Sequence, residues 1–424
     1  MKVFITVFFV IVTAQIIHSQ ENRHTPVQQL LYDGNYAEAV IAISDSLKID
    51  SVNHLLYYQL GKAQIGLDNY TDALNSFMQS HMTDTLFIPS MKELGLLYDY
   101  MGQPKKAVAF FQKILKVKPE NREISSDLAR IYKSNGYHLE AIQLYLYLIQ
   151  DYPDNYVYHK NLGECYLKKN YPVEAWKYFS IANSLNPGDL RVIQRLGNLA
   201  IKSGNYIDGI ALTSGGLSID SSNVPLLKLN GYLHMLSENP DTAIVRFKQC
   251  QLLGDTSFFT LKYIGLSYFQ EEEFDSSAFF LEHALQLDSM DVEANYYYAT
   301  ALGKALYKKE SIKAFQNLLN ILEPPQEMLV DIYSGLQKNF SYLSDHKKSL
   351  YYMLKLTEID DNPIWYLRVA SYYDYRNRDN KKAITYYQKF LDVIGDAAKN
   401  PYVEVANNRI SKIREDMFFQ GNTN

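Results

Sequence analysis

Residues 94–119 read LGLLYDYMGQPKKAVAFFQKILKVKP. Leu94 and Tyr98 stand four apart, which puts them on one face of a helix, and Ala107 and Phe111 do the same on a second helix. Pro119 stops that second helix and redirects the chain. The segment therefore reads as two short helices, each carrying one small and one large residue on the face it turns to the other. A small residue lets two backbones approach, and the aromatic ring fills the space beside it.

The pattern repeats at 34 residues. Stepping from Gly61 gives Gly95, Ala129, Gly163, Gly197, Gly231, Gly265 and Ala299. Twelve residues beyond each come Ala73, Ala107, Ala141, Ala175, Gly209, Ala243, Ser277 and Ser311. Leu60, Leu94, Leu128, Leu162 and Leu196 precede the first small residue, and Phe77, Phe111, Tyr145, Phe179, Phe247 and Phe315 follow the second by four. Turn signals separate the helices at Asp68-Asn69, Asn135-Gly136, Lys169-Asn170 and Gly204-Asn205. A fixed period of this length marks a repeat array and not a set of globules. Gly209, Thr213 and Gly216 replace larger or more regular residues, so loose packing is expected in that unit. After Ser311 the spacing slips by four: the next units centre on Ser349 and Ala383, where Lys347-Lys348-Ser349-Leu350 repeats as Lys381-Lys382-Ala383-Ile384.

The combination Leu-Gly-x-x-Tyr, Ala-x-x-x-Phe and terminal Pro at this spacing resembles the tetratricopeptide repeat family, most closely over 95–187. The resemblance implies an all-α, right-handed superhelical α-solenoid of stacked antiparallel helix pairs, about ten to eleven units in all. The expected organisation is a leader at 1–19 (or 1–14) and an array at 20–322 with units centred on Ala39, Ala73, Ala107, Ala141, Ala175, Gly209, Ala243, Ser277 and Ser311. Two further units follow at 323–398 after the break at Glu323-Pro324-Pro325, and a capping helix and tail occupy 399–424. In that last helix Ile410, Ile413 and Met417 share a face, with Arg409, Lys412 and Arg414 expected to turn away from it.

Met1–Gln20 carries one Lys, then an apolar run too short for a span, which takes roughly 20 residues. It reads as an export signal cut after Ala14 or Ser19, with an uncleaved N-terminal anchor as the alternative. The expected location is extracytoplasmic, periplasmic or secreted, with no membrane span in the mature chain. With 42 Lys+Arg against 47 Asp+Glu among 424 residues, the formal charge is −5, which argues against a polyanion binder in bulk. Two cysteines, Cys165 and Cys250, are too few for a disulfide scaffold and read as buried thiols.

Phosphate-loop, zinc-protease, Cys-x-x-Cys and nucleophile-elbow motifs are all missing from the sequence, and the nine histidines form no i, i+4 pair. A non-enzymatic chain with no cofactor and no metal is expected. The resemblance implies that the first helix of each unit lines a concave groove. Family offsets then place Arg130, Lys133, Lys160, Asn161, Lys168, Arg191, Arg195, Asn198 and Lys202 in one stretch, with Glu123, Asp127 and Glu164 opposing them. The next stretch carries Lys228, Tyr232, Met235, Phe259, Tyr263, Phe269, Tyr296 and Tyr297. Asn161, Arg191 and Arg195 match three of five positions of the family's two-carboxylate clamp, while Ser126 and Arg130 depart from it. The resulting expectation is an interaction scaffold that takes an extended peptide with an acidic end and bulky apolar side chains. Its candidate contacts are Arg130, Lys133, Lys160, Asn161, Arg191, Arg195, Asn198, Tyr232, Phe259, Tyr263, Tyr296 and Tyr297. An envelope glycan or polymer binder, or an assembly factor, is the alternative; nucleic-acid binding is disfavoured.

Overall fold

The computed structural model describes residues 26–321, 324–395 and 400–421. The export-signal segment lies outside them, as do Glu323 and both ends of the 399–424 segment. Among the described residues the regular structure is helical, with no strand. The chain divides into two compact units, up to Val192 and from Ile193, the division falling inside helix Leu190–Ser203.

In the first unit the helices come as hairpins: His54–Gly66 with Tyr70–Thr83, Ile88–Tyr100 with Pro104–Val117, Arg122–Ser134 with His138–Asp151, and Tyr156–Lys168 with Pro172–Leu185. Each helix packs on the next in sequence. Asn53, Asn121 and Asn155 cap first helices through side-chain oxygens that accept from backbone N–H groups, removing orphan donors there. The small residues do the work the spacing assigns them. A Cβ added at Gly95 would lie 2.7 Å from the Phe111 ring, and one at Gly163 2.7 Å from the Phe179 ring, closer than real side chains come. Ala73, Ala107, Ala141 and Ala175 have no exposed surface, and Phe77, Phe111 and Phe179 are equally enclosed. The core thus has a small-against-aromatic contact between the two helices of a hairpin, and Met91, Leu94, Ile114, Ile124 and Leu128 belong to the cluster that joins neighbouring hairpins.

The second unit repeats the scheme with Tyr206–Ile219, Val224–Leu236, Pro240–Leu252, Phe258–Gln270, Phe274–Leu287, Val292–Lys304, Lys308–Ile321, Gln326–Tyr342 and His346–Ile359. Helix Ile364–Ser371 continues as a π-helical turn over Tyr372–Asn377 before Asn380–Ile394. Here the first helices of successive hairpins also touch one another, Val224–Leu236 against Phe258–Gln270 and that helix against Val292–Lys304.

The unit expected to pack loosely does not. Gly209, Thr213 and Gly216 are buried, and a Cβ at Gly209 would meet Ala200 at 2.8 Å and Leu233 at 2.9 Å. Leu233 and Leu226 fill the space a larger second-helix residue takes elsewhere. Thr213, in an aromatic slot, faces Asn230, in a leucine slot. Asn230 donates to Thr213 Oγ1 (2.8 Å) and Ser214 Oγ (3.2 Å), while Arg246 Nε donates to its carbonyl oxygen (2.9 Å). Two departures from the repeat thus satisfy each other.

The turns inside the hairpins carry a second regularity. Left-handed backbone occurs at Gly34, Asp68, Gly102, Gly136, Asn170, Gly204, Glu238, Glu272 and Leu306, each 34 after the last, then at Ser344 and Arg378. Glycine adopts this conformation freely; Leu306, at φ 71°, does so at a cost.

Helix Pro401–Gly421 lays Ala406, Ile410, Ile413 and Met417 on Tyr387, Phe390 and Val369. Lys412 and Arg414 are exposed. Arg409 does not turn away as the helical pattern predicts: its guanidinium grips the buried Asp374 carboxylate through Nε (2.8 Å) and Nη2 (2.7 Å), and Tyr387 donates to the same oxygen that Nε engages (3.1 Å). Burial of Asp374 in the π turn creates a charge that must be matched, and Arg409 matches it.

Candidate functional site

In the first unit the basic residues singled out by sequence are not a free cationic surface. Arg130 Nη1 reaches Asp99 at 3.1 Å, Lys133 Nζ reaches Glu164 and Asn161 at 2.6 Å each, and Lys160 Nζ reaches Asp189 at 2.6 Å. Lys62–Glu93 and Lys92–Glu123 add two more pairs of the same kind. Each joins the first helix of one hairpin to that of the next or to its N-terminal cap. Burial opposes the charged form of Asp189, yet the Lys160 hydrogen bond and charge outweigh it and hold the carboxyl below its usual range. Asn161 is drawn into this lattice as well, its amide donating to the Tyr145 hydroxyl at 3.1 Å. Arg191 is exposed, and among the described residues its guanidinium has no ion pair. In the second unit Arg195 is likewise exposed and unpaired, and the exposed Asn198 donates to the carbonyl of Gln194 on its own helix (2.8 Å). Asp99 and Asp189 are the carboxylates that sequence reading left out of the balance.

Five aromatic candidates lie half-buried in the second unit. Tyr263 sits 4.5 Å from the Phe259 ring and 4.7 Å from Tyr232, and all three cluster near Phe247. Burial first, then Tyr232, pushes the Tyr263 hydroxyl well above the usual tyrosine range, so it stays neutral. This cluster is chiefly packing. Tyr296 stands against Tyr297 (5.2 Å) and donates to Asp331 (3.3 Å); burial and Asp331 push its pKa up to about 12.

Tyr297 leads to a different place. A pocket of about 400 Å³ opens where three first helices meet. Met235 comes from Val224–Leu236, Leu266, Phe269 and Gln270 from Phe258–Gln270, and Glu293, Tyr297 and Lys304 from Val292–Lys304. Glu272 and Phe274, from the turn and helix that follow, complete the wall. Phe269 meets Tyr297 edge-on at 4.9 Å and Phe274 at 5.5 Å, and Lys304 lies 5.7 Å over the Phe274 ring. Below the rim Lys262, 7 % exposed, is held by Asp291 (3.0 Å) and Glu293 (2.8 Å). Burial opposes its charge, but these two carboxylates prevail and its pKa is raised. Of the sequence candidates, only Tyr297 lines this pocket, together with Met235 and Phe269 from the wider groove reading. Leu266, Gln270, Glu272, Phe274, Glu293 and Lys304 were not singled out. Leu266 and Gln270 stand one and five after Gly265, and Glu293 and Lys304 six before and five after Ala299, so the family offsets already pointed to them; Glu272 and Phe274, from the turn and the second helix, lie beyond those offsets.

Among the described residues no group of three or more His, Cys, Asp or Glu side chains is placed to hold a metal ion. Cys165 and Cys250 are buried and unbridged, and burial pushes each thiol up to about 11, which leaves both protonated and unreactive at neutral pH. No described helix is long and apolar enough to cross a membrane.

Residues 92–156 match the family model described as tetratricopeptide repeat. That segment is tetratricopeptide-like. That stretch takes in helices Arg122–Ser134 and His138–Asp151 and most of the hairpin before them. A search of curated proteins finds no match. Among solved structures, the chain resembles YrrB, a TPR protein with an unusual peptide-binding site, at 18% identity and a TM-score of 0.40, covering 44% of this chain and 94% of that one. A tetratricopeptide repeat protein from Parabacteroides merdae is 14% identical, with a TM-score of 0.40 over 59% of this chain and 98% of its own. Naa15/Naa10 bound to HypK-THB matches over 92% of this chain and 64% of that one, at 14% identity and a TM-score of 0.44. The tetratricopeptide likeness of residues 92–156 needs none of the three; it stands on the family match, the 34-residue period and the helix-pair packing.

Proposed function

We propose that this chain is a non-enzymatic interaction scaffold that binds extended peptide segments along the first helices of its tetratricopeptide repeats. The observation that carries the reading is the pocket of the second unit, with Met235, Leu266, Phe269, Phe274 and Tyr297 as apolar wall and Glu272, Glu293 and Lys304 as polar rim. Ligand sites are mostly apolar and concave with a few placed polar groups, and 400 Å³ sits at the small end of their range of roughly 300–1,000 Å³. It has room for one or two large side chains. Export, as the N-terminal segment suggests, would put that partner outside the cytoplasm.

The test is calorimetric titration of the full chain with a peptide selected from a displayed library. Phe269→Ala and Tyr297→Ala should each weaken binding about tenfold or more, as anchor truncations do. Arg191→Ala, in the first unit, should change it less than twofold. Binding that survives both aromatic truncations but is lost with Arg191 would remove the pocket from the function.

A further inference from the structure

We propose that the peptide held in this pocket is basic: an aromatic or aliphatic anchor with a Lys or Arg two residues from it, reaching the carboxylates at the rim. The inference rests on the peptide-binding reading above and reverses the charge the sequence suggested. Three observations carry it. First, three of the cations expected to draw an acidic peptide, Arg130, Lys133 and Lys160, are engaged by Asp99, Glu164 and Asp189, and the exposed Arg191 and Arg195 are not among the residues that line the pocket. Second, the rim is left with surplus negative charge. Lys262 is one cation shared between Asp291 and Glu293, so that cluster keeps one net negative charge, and Glu293 itself faces the pocket. Glu272 has no side-chain partner among the described residues and is flanked in the turn by Glu271 and Glu273. Third, the rim's own cation, Lys304, lies over the Phe274 ring and pairs with no carboxylate among the described residues, so it cancels one of these charges and leaves the rest.

Geometry limits the partner further. Residues two apart on an extended strand lie about 7 Å apart on the same side. An anchor between Leu266, Phe269 and Tyr297 therefore leaves a side chain at the second position free to reach the Glu272 turn. An acidic residue there would meet unpaired carboxylates, and like charges at an interface select against the wrong partner.

The test uses the full chain and a phage-displayed library of random dodecapeptides, selected against wild type, Glu272→Lys and Tyr297→Ala. Glu272 sits in an exposed turn, so its substitution leaves the hairpin core alone. Wild type should enrich sequences with Phe, Tyr, Trp or Leu two positions from Lys or Arg. A synthetic peptide of that kind should bind about tenfold more weakly to Glu272→Lys, the change expected for one lost charge-assisted hydrogen bond. Enrichment of acidic sequences on wild type, or equal affinity for the Glu272→Lys chain, would overturn the charge assignment while leaving peptide binding intact. Identical enrichment on wild type and a Tyr297→Ala chain shown to be folded by circular dichroism would instead overturn the pocket as the peptide site, and this proposal with it.

Discussion

Leu306 shows what a single residue concedes to the repeat. It occupies the turn position that Gly34, Gly102, Gly136 and Gly204 fill without strain, and it is largely exposed there, so its side chain gains little. A left-handed L-residue costs roughly 1–2 kcal/mol, while glycine costs about 0.5–1 kcal/mol of chain entropy. Leu306→Gly should therefore raise stability by about 0.5–1 kcal/mol in urea denaturation; a loss of stability would mean that the leucine packs on something in solution. Histidines concede in another way. His81, His138 and His234 each keep a buried, unpartnered Nδ1, and burial, then neighbouring Lys or Arg, lowers their pKa values. Above an unfolded value of about 6.5 both states are neutral and nothing changes. As pH falls through that value the unfolded chain takes up protons first, so stability drops until the lower folded values are reached. Denaturation midpoints at about pH 7.5 and pH 5.5 should differ, the latter lower, and the gap should shrink in a His81→Asn, His234→Gln chain. An unchanged gap would show that other groups govern the response.

At the scale of the helix, the two irregular places in the array are held by polar links. Asn230→Leu restores the regular residue but strips Arg246 Nε of its acceptor and Thr213 of its partner. It should cost about 1–3 kcal/mol, and adding Thr213→Val should cost less than the sum of the single changes. Strict additivity would refute the coupling. The terminal helix Pro401–Gly421 depends on Arg409 in the same manner. Asp374 is almost fully enclosed, so Arg409→Ala leaves a buried carboxylate without its ion-pair partner and should cost about 3–5 kcal/mol, with hydrogen exchange rising first in Pro401–Gly421 and the π turn. Protection unchanged there would mean that Ile410 and Ile413 alone hold the helix.

Across the whole molecule, hydrophobic period made the architecture legible: the small residues announced where backbones meet, and Leu and Phe announced what fills the gaps. Polar partnerships were not so legible. Lys62 and Glu93, Lys92 and Glu123, Asp99 and Arg130, Lys133 and Glu164 all stand 31 apart. That interval was available in the sequence but has meaning only once neighbouring hairpins are known to stack nearly in register. Three of the cations counted as ligand-facing, Arg130, Lys133 and Lys160, are inter-repeat ties. Left-handed turns at Glu238, Glu272 and Leu306 carry no compositional signal, because the hairpin imposes them on whatever residue falls there. The pocket was half visible: Met235, Phe269 and Tyr297 follow helical offsets, whereas Glu272 and Phe274 reach it from a turn and the start of a second helix.

Ligand should meet this chain at the second unit's pocket, while the lysine-bearing helix Pro104–Val117 of the first unit serves as the control surface. Photo-crosslinking measures this directly. Benzoylphenylalanine replaces Tyr297 in one chain and Lys113 in another, each is irradiated with a library-selected peptide, and adducts are quantified by mass spectrometry. Position 297 should give adducts that excess unlabelled peptide competes away, and position 113 none. Competable adducts from 113, with none from 297, would contradict that placement.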